Sequence, residues 1–353
     1  MSRSLHLSTL AGCLLFAACN DSQSPLQPST TEHPAAISPA VSNAAGSWTS
    51  KAPMPTARYG HAAATVKNSA GQQIVFLFGG IDPTCFDEEA LCTVRPVDVY
   101  NLATNSWTTR SQSSNPVGYE LNGAGVIGTR VYIAGGTFDS GDGEFMTNQL
   151  NVYDTGTDSW LQKPRMPSES SRGVTGVIDG KLYVLTGMEN GNDECGTSCS
   201  SPVTTRKFYR YNPFTNSWIK RPWPKRAHVG GAAGVINGKL YVAGGGDAAG
   251  AHAVLEIYDP ATNTWTMGAA MPSPRANVAG AVLGSKLYVI GGNNGEVTVY
   301  DPGTNRWGSR APLNTPRSLL AATRVDTHIL ALGGRNAGSS NDEAGHKNEM
   351  FTR

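Results

Sequence analysis

At six places the chain sets charged, amide or aromatic side chains just ahead of an apolar run: Arg58, Tyr59 and His61; Tyr119 and Glu120; Glu169 and Arg172; Arg226 and His228; Arg275 and Asn277; and Arg317. The chemistry available to such a set is anion recognition, because a guanidinium grips a carboxylate through two parallel hydrogen bonds. Glu120 or Glu169 near Arg172 would add a candidate acid-base group beside a candidate anchor. The competing use of the arginines is internal, each pairing with a nearby loop carboxylate and holding one face together. Acidic residues are plentiful close by: Asp82, Asp87, Glu88 and Glu89; Asp139, Asp142 and Glu144; Glu189, Asp193 and Glu194; Asp247; Asp342 and Glu343. A basic centre within an acidic rim is the expected layout.

The elements that position these residues repeat. Five segments carry a tyrosine and a tryptophan seven apart: Tyr100 and Trp107, Tyr153 and Trp160, Tyr211 and Trp218, Tyr258 and Trp265, Tyr300 and Trp307. Between them lie Asn or Asp, often Pro, then Thr-Asn or Thr-Asp, which is the chemistry of a hairpin loop. Upstream of each pair, and once more near the end of the chain, a short apolar run closes on glycine: Gly79-Gly80, Gly135-Gly136, Thr186-Gly187, Gly244-Gly245, Gly291-Gly292 and Gly333-Gly334. Setting Trp223 aside, the tryptophans from Trp48 to Trp307 follow one another at intervals of 59, 53, 58, 47 and 42 residues. Forty-one glycines in 353 residues, with only 16% charged residues, agree with a turn-rich all-β chain.

A repeat of this length, with a glycine pair and with tyrosine and tryptophan at fixed spacing, resembles the kelch repeat over roughly residues 47–353. The resemblance implies a six-bladed β-propeller with four antiparallel strands per blade and the first strand of each blade lining the axis. The last repeat has Phe351 in the tyrosine slot and no tryptophan after it, while Trp48 stands unmatched at the other end. The segment beginning at residue 47 is therefore expected to complete the last blade and close the ring. The tyrosines, tryptophans and glycine pairs are structural in this reading. Function is expected where the repeats differ, at the starts of the first strands, around the mouth of the channel, and in the uneven loops after the glycine pairs. The family implies a binding module for an envelope protein or an acidic glycan. The alternative it implies is a sugar-acid isomerase, since sialic acid mutarotase is a member, with Glu120, Glu169 and Arg172 as candidates. The copper site of the kelch-containing galactose oxidases, with its cysteine-linked tyrosine, is not evident.

Residues 1–18 read as a lipoprotein-type signal, apolar or small from Leu5 to Ala18, and Leu14-Leu15-Phe16-Ala17-Ala18-Cys19 resembles a lipobox. Lipidation at Cys19 is expected, with ordinary signal cleavage as the alternative. Residues 19–46, dominated by Ser, Pro, Ala, Thr and Gln, read as a tether. An exported, lipid-anchored monomer in the cell envelope follows, on the periplasmic face of an outer membrane or at the cell surface. In that oxidising compartment Cys85 and Cys92, and Cys195 and Cys199, are expected to form two local disulfides. Zinc is the competing use of those cysteines, and Asp342 with His346 is a weak metal pair; no metal or cofactor is expected. The net charge of +1 gives no electrostatic support for a nucleic-acid partner, and contact with a membrane is expected only through the lipid.

Overall fold

A computed structural model of the chain describes residues 46–84, 92–110, 116–139, 144–191, 202–292, 294–336 and 343–353. Residues 1–45, which hold the expected signal, Cys19 and nearly all of the expected tether, lie outside the described residues.

The described residues form six four-stranded antiparallel sheets and three two-stranded hairpins. Each large sheet is one blade of a β-propeller. Blade 1 runs Ala62–Lys67, Gln73–Phe78, Val97–Asn101 and Ser106–Arg110 from the axis outward. The inner strands of blades 2 to 6 are Gly125–Ile127, Val174–Ile178, Ala232–Ile236, Val278–Leu283 and Ala321–Val325. Second strands read as near-continuous apolar runs because both of their faces are covered by neighbouring blades, as in Gln73–Phe78, where the last four residues are buried.

Ring closure follows the expected route. Ser47–Ser50 pairs antiparallel with Asn348–Thr352, bringing Trp48 opposite Phe351 with ring centroids 5.2 Å apart. The N-terminal strand is thereby the outer strand of blade 6. In the other blades tyrosine and tryptophan stand opposite each other in the same way, and each tyrosine hydroxyl meets the Asn or Asp of its hairpin, for example Tyr100 to Asn105 Oδ1 at 2.7 Å. That Asn or Asp holds a left-handed backbone in all five hairpins, which explains why no β-branched residue occupies the slot. Five of the tryptophans tie one blade to the one before it by donating Nε1–H to a backbone carbonyl: Trp107 to Ala52, Trp218 to Pro164, Trp265 to Pro222, Trp307 to Ala269 and Trp48 to Ala311.

The glycine pairs answer a different demand, close approach between blades near the axis. A Cβ at Gly79 would lie 2.0 Å from the carbonyl oxygen of Gly118 in blade 2, and one at Gly333 would lie 2.4 Å from that of Arg58 in blade 1. The second glycine then donates its amide to the same carbonyl, Gly80 to Gly118 at 3.1 Å and Gly334 to Arg58 at 2.9 Å. The latter bond crosses the seam between the last blade and the first.

Removing the closing tryptophan should reveal how much the seam contributes. Trp48→Ala is expected to cost about 3–5 kcal/mol in chemical denaturation. A loss under about 1 kcal/mol, within the range of ordinary surface changes, would show that blade 6 does not need its outer strand.

Candidate functional site

Two registers meet at the end of the channel where the inner strands begin. Antiparallel bridges align Tyr59, Tyr119, Ser171, Val229 and Ser318 as equivalent positions in their blades. In blades 1, 4 and 6 the residue before the bridge, Arg58, His228 or Arg317, points into its own blade. The residue after it faces the axis.

Arg58, His228, Arg275 and Arg317 belong to the first register, and all four are buried. Each reaches the carbonyl of the first glycine of its pair: Arg58 Nη1 to Gly79 at 3.3 Å, His228 Nδ1 to Gly244 at 2.7 Å, Arg275 Nη1 to Gly291 at 3.1 Å and Arg317 Nε to Gly333 at 2.7 Å. Each then meets the second residue of the third strand in its own blade. Arg58 pairs with Asp98, Arg275 donates to Thr298, His228 Nε2 contacts Glu256 at 3.1 Å, and Arg317 pairs with Glu349 at 3.0 Å. One design serves four blades, a polar strut joining the first, second and third strands. The expectation that these residues ring the mouth is thereby corrected. Their side chains point along the blade; Asp98, Glu256 and Glu349 belong to third strands, and Arg275 also has the loop carboxylate of Glu296 within 3.9 Å. Burial lowers the pKa of all three arginines, and Arg58 is held at about 10 against the opposing pull of Asp98.

The second register comprises Gly60, Glu120, Arg172, Gly230, Asn277 and Leu319, one per blade, and all six adopt left-handed backbone conformations. Their main chains form a closed ring of hydrogen bonds in which every blade donates to the one before it. Gly60 N bonds Leu319 O at 2.9 Å, Leu319 N bonds Asn277 O at 3.0 Å and Val278 N bonds Gly230 O at 3.1 Å. Gly230 N bonds Arg172 O at 2.7 Å, Arg172 N bonds Glu120 O at 2.9 Å, and Leu121 N returns to Gly60 O at 3.3 Å.

This ring surrounds a cavity of about 180 Å³ whose wall is built from small side chains, among them Ala63, Ala124, Ala233 and Ala322. Glu120 and Arg172 form an ion pair at its mouth, with side chains 15% and 31% exposed, and Asn277 and Leu319 complete the polar and apolar corners. His61 also lines the cavity. It is 6% exposed, and neither ring nitrogen has a hydrogen-bond partner among the described residues. Burial, reinforced by the positive charges of Arg58 and Arg317, pushes its pKa well below the ordinary 6.5.

The other candidates fall elsewhere. Tyr59 lies under the Arg335 guanidinium, 5.4 Å from ring centroid to carbon, and Tyr119 is buried. Arg226 is held by Asp247 at 2.8 Å and lines a separate groove with Arg206 and Lys225. Glu169 accepts from Asn190 in the loop of blade 3, at some remove from the Arg172 guanidinium, which is held by Glu120. The rim carboxylates are also engaged locally, Asp82 by Thr84 and Glu189 by Lys207. Cys85, Cys195, Cys199, Asp87, Glu88, Glu89, Asp142, Asp193, Glu194 and Asp342 lie outside the described residues. His346 has its Nδ1 2.8 Å from the Met54 carbonyl, and among the described residues no three His, Cys, Asp or Glu side chains are grouped to hold a metal.

Asn122 escaped the sequence reading. Five positions separate Glu120 from Gly125, which pairs with Tyr132, whereas four separate Arg172 from Gly176, which pairs with Tyr183. The extra residue of blade 2 lets the Asn122 side chain turn into the seam with blade 3, where Nδ2 donates to Ala134 O at 2.8 Å and Oδ1 accepts from Gly173 N at 2.6 Å and Ser170 Oγ at 2.9 Å. It replaces the strut that Gly118, the residue of the first register in this blade, cannot supply. The signal was the Asn-Gly dipeptide breaking the register of an otherwise regular repeat.

The architecture is that of a propeller lipped by variable loops, and its relatives agree. The profile of the KLHDC2/KLHL20/DRC7 Kelch-repeats domain matches residues 40–228 and 166–334. The chain belongs to the kelch-repeat family. It is 29% identical over 209 residues to "Kelch-like protein terF" of Aspergillus terreus, covering 57% of this chain and 42% of that one. It is 30% identical over 158 residues to an N-acetylneuraminate epimerase of Haemophilus influenzae, covering 44% of this chain and 38% of the relative. Human Kelch domain-containing protein 3 is 24% identical over 210 residues, 54% of this chain and 48% of the relative. The chain thus matches under half the length of these relatives. Among solved structures that of YjhT superposes with a TM-score of 0.65 at 15% identity, covering 85% of this chain and 95% of the other, which establishes likeness of fold.

The struts and His61 give two measurable consequences. Arg317→Ala leaves Glu349 buried without its cation and is expected to cost about 3–5 kcal/mol, with the Arg317→Ala/Glu349→Ala pair costing less than the sum of the single changes. The folded state disfavours protonated His61, so the unfolded chain binds the extra proton as pH falls below 6.5, and stability should decline on that side. Melting curves between pH 7 and pH 5 should show a shallower decline for His61→Asn than for the parent; equal slopes would exclude His61 as the source.

Proposed function

We propose that this kelch propeller is an envelope-tethered binding module that docks a partner protein through the face carrying its long loops. The observation that carries the reading is a pair of raised hairpins on blades 2 and 3. Thr137–Asp139 pairs with Glu144–Met146, and Met188–Glu189 pairs with Val203–Thr204. Asn190 braces them together, its Nδ2 donating to Met146 O at 3.2 Å and its Oδ1 accepting from Met146 N at 3.1 Å. The braced pair presents Phe145, 46% exposed and stacked on Phe138, and Val203, 44% exposed. Apolar side chains held on a rigid support are what a docking surface requires, because little ordering entropy is lost on binding. In this reading the lipobox-like segment ending at Cys19 supports export and a lipid anchor in the envelope.

The N-acetylneuraminate epimerase match favours a second reading, an isomerase acting on an acidic sugar at the channel mouth. Glu120 beside Arg172 supplies a carboxylate and an anchor for it.

Three experiments decide among these statements. Labelled fatty acid should enter the parent protein and not Cys19→Ala. The Phe145→Asp/Val203→Asp variant should lose at least about tenfold in affinity for a partner cross-linked through the hairpins, with melting unchanged; undiminished binding removes the docking surface. Exchange of N-acetylneuraminate anomers followed by NMR should stay at its uncatalysed rate, and acceleration abolished by Glu120→Gln would establish the second reading instead.

A further inference from the structure

The mouth of the channel carries more side-chain chemistry than the fold requires. Blades 1 and 4 place glycine in the left-handed axial position, at Gly60 and Gly230. Blades 2, 3 and 6 place Glu120, Arg172 and Leu319 there with φ of 50°, 51° and 54°, and blade 5 places Asn277 with φ of 55°. Each non-glycine residue other than asparagine accepts about 1–2 kcal/mol of backbone strain that glycine would relieve. Strain of this kind persists where the side chain has a use. All four residues line the same cavity.

The geometry points to a binding site for one small zwitterion, a free α-amino acid, held between Glu120 and Arg172. The reasoning is one of partner exchange. A simple anion could reach Arg172 only by displacing Glu120, whose largely shielded carboxylate would then stand beside the incoming charge without a cation. A zwitterion leaves neither group alone: its carboxylate takes the Arg172 guanidinium and its ammonium takes the Glu120 carboxylate. Blade 5 lies opposite blade 2 in the ring, so the Asn277 amide faces the ligand from the other side. Leu319, opposite Arg172, offers an apolar corner to the ligand's side chain. The volume of about 180 Å³ is below the roughly 300–1,000 Å³ of sites that take larger ligands, which matches a single amino acid rather than a peptide segment. This inference is independent of docking by the hairpins and competes with the acidic-sugar reading for the same cavity.

Titration calorimetry on the whole protein tests it with L-leucine, N-acetyl-L-leucine, L-leucinamide, gluconate and N-acetylneuraminate as probes. L-leucine should bind at concentrations up to about 10 mM, and removing either charge, by acetylation or amidation, should weaken binding at least about tenfold. Because those comparisons are made on the unaltered protein, they do not depend on how a variant folds. Glu120→Gln should erase the preference for L-leucine over its N-acetyl derivative while still binding N-acetyl-L-leucine through Arg172. Absence of heat with L-leucine, equal binding of the blocked derivatives, or tighter binding of gluconate or N-acetylneuraminate would overturn the proposal, and the last outcome would favour the sugar-acid reading.

Discussion

The approach of each glycine pair to a carbonyl of the next blade sets the dimensions of the whole molecule. Where Gly79 meets Gly118, or Gly333 meets Arg58, no side chain separates one blade from the next. The inner strands therefore crowd the axis closely enough for their main chains to bond in a closed circle, from Gly60 around to Leu319 and back. The wall beneath that circle is built largely from alanine and glycine, and a Cβ at Gly280 would already lie 2.4 Å from the Ala233 carbonyl. A channel narrowed in this way becomes a small cavity with a polar mouth. The tyrosine and tryptophan belt works at the other radius, filling the widening space between blades and fastening each blade to its predecessor.

The buried struts follow from the same crowding. Glycine pairs leave carbonyls deep in the seams, and such groups need donors. Arg58, His228, Arg275 and Arg317 supply them, and each also meets a polar side chain on the third strand. Blade 2 has Gly118 at the equivalent place and uses Asn122, while blade 3 has Ser170, whose hydroxyl donates to the same Asn122. These solutions differ in residue type and agree in purpose. That is why the arginines looked like a binding set when only their recurrence was visible.

The blade count, the strand order and the closing role of Trp48 were legible because backbone geometry and close packing admit few residue types, and those types recur at fixed spacing. The site was only partly legible. Arg58 and Glu120 both open inner strands, yet they lie two positions apart in register, and that offset sends one into the blade and the other to the axis. Sequence proximity merged them. Pairing of Glu120 with Arg172 was foreseeable from neighbouring blades; the isolation of His61 and the work of Asn122 depend on packing across seams that no local pattern records. What distinguishes blades 2 and 3 is now concrete: they carry the ion pair at the mouth and the two braced hairpins.

The central claim is that the axial circle of backbone hydrogen bonds is a single cooperative element that holds the six blades as one unit. Native-state hydrogen exchange reads it directly at the amides of Gly60, Arg172, Gly230 and Leu319. The account predicts that these four amides exchange together, only through global unfolding, with the same dependence on denaturant as the most protected second-strand amides. Exchange of any one of them by local opening, while the others and the second strands stay protected, would contradict it.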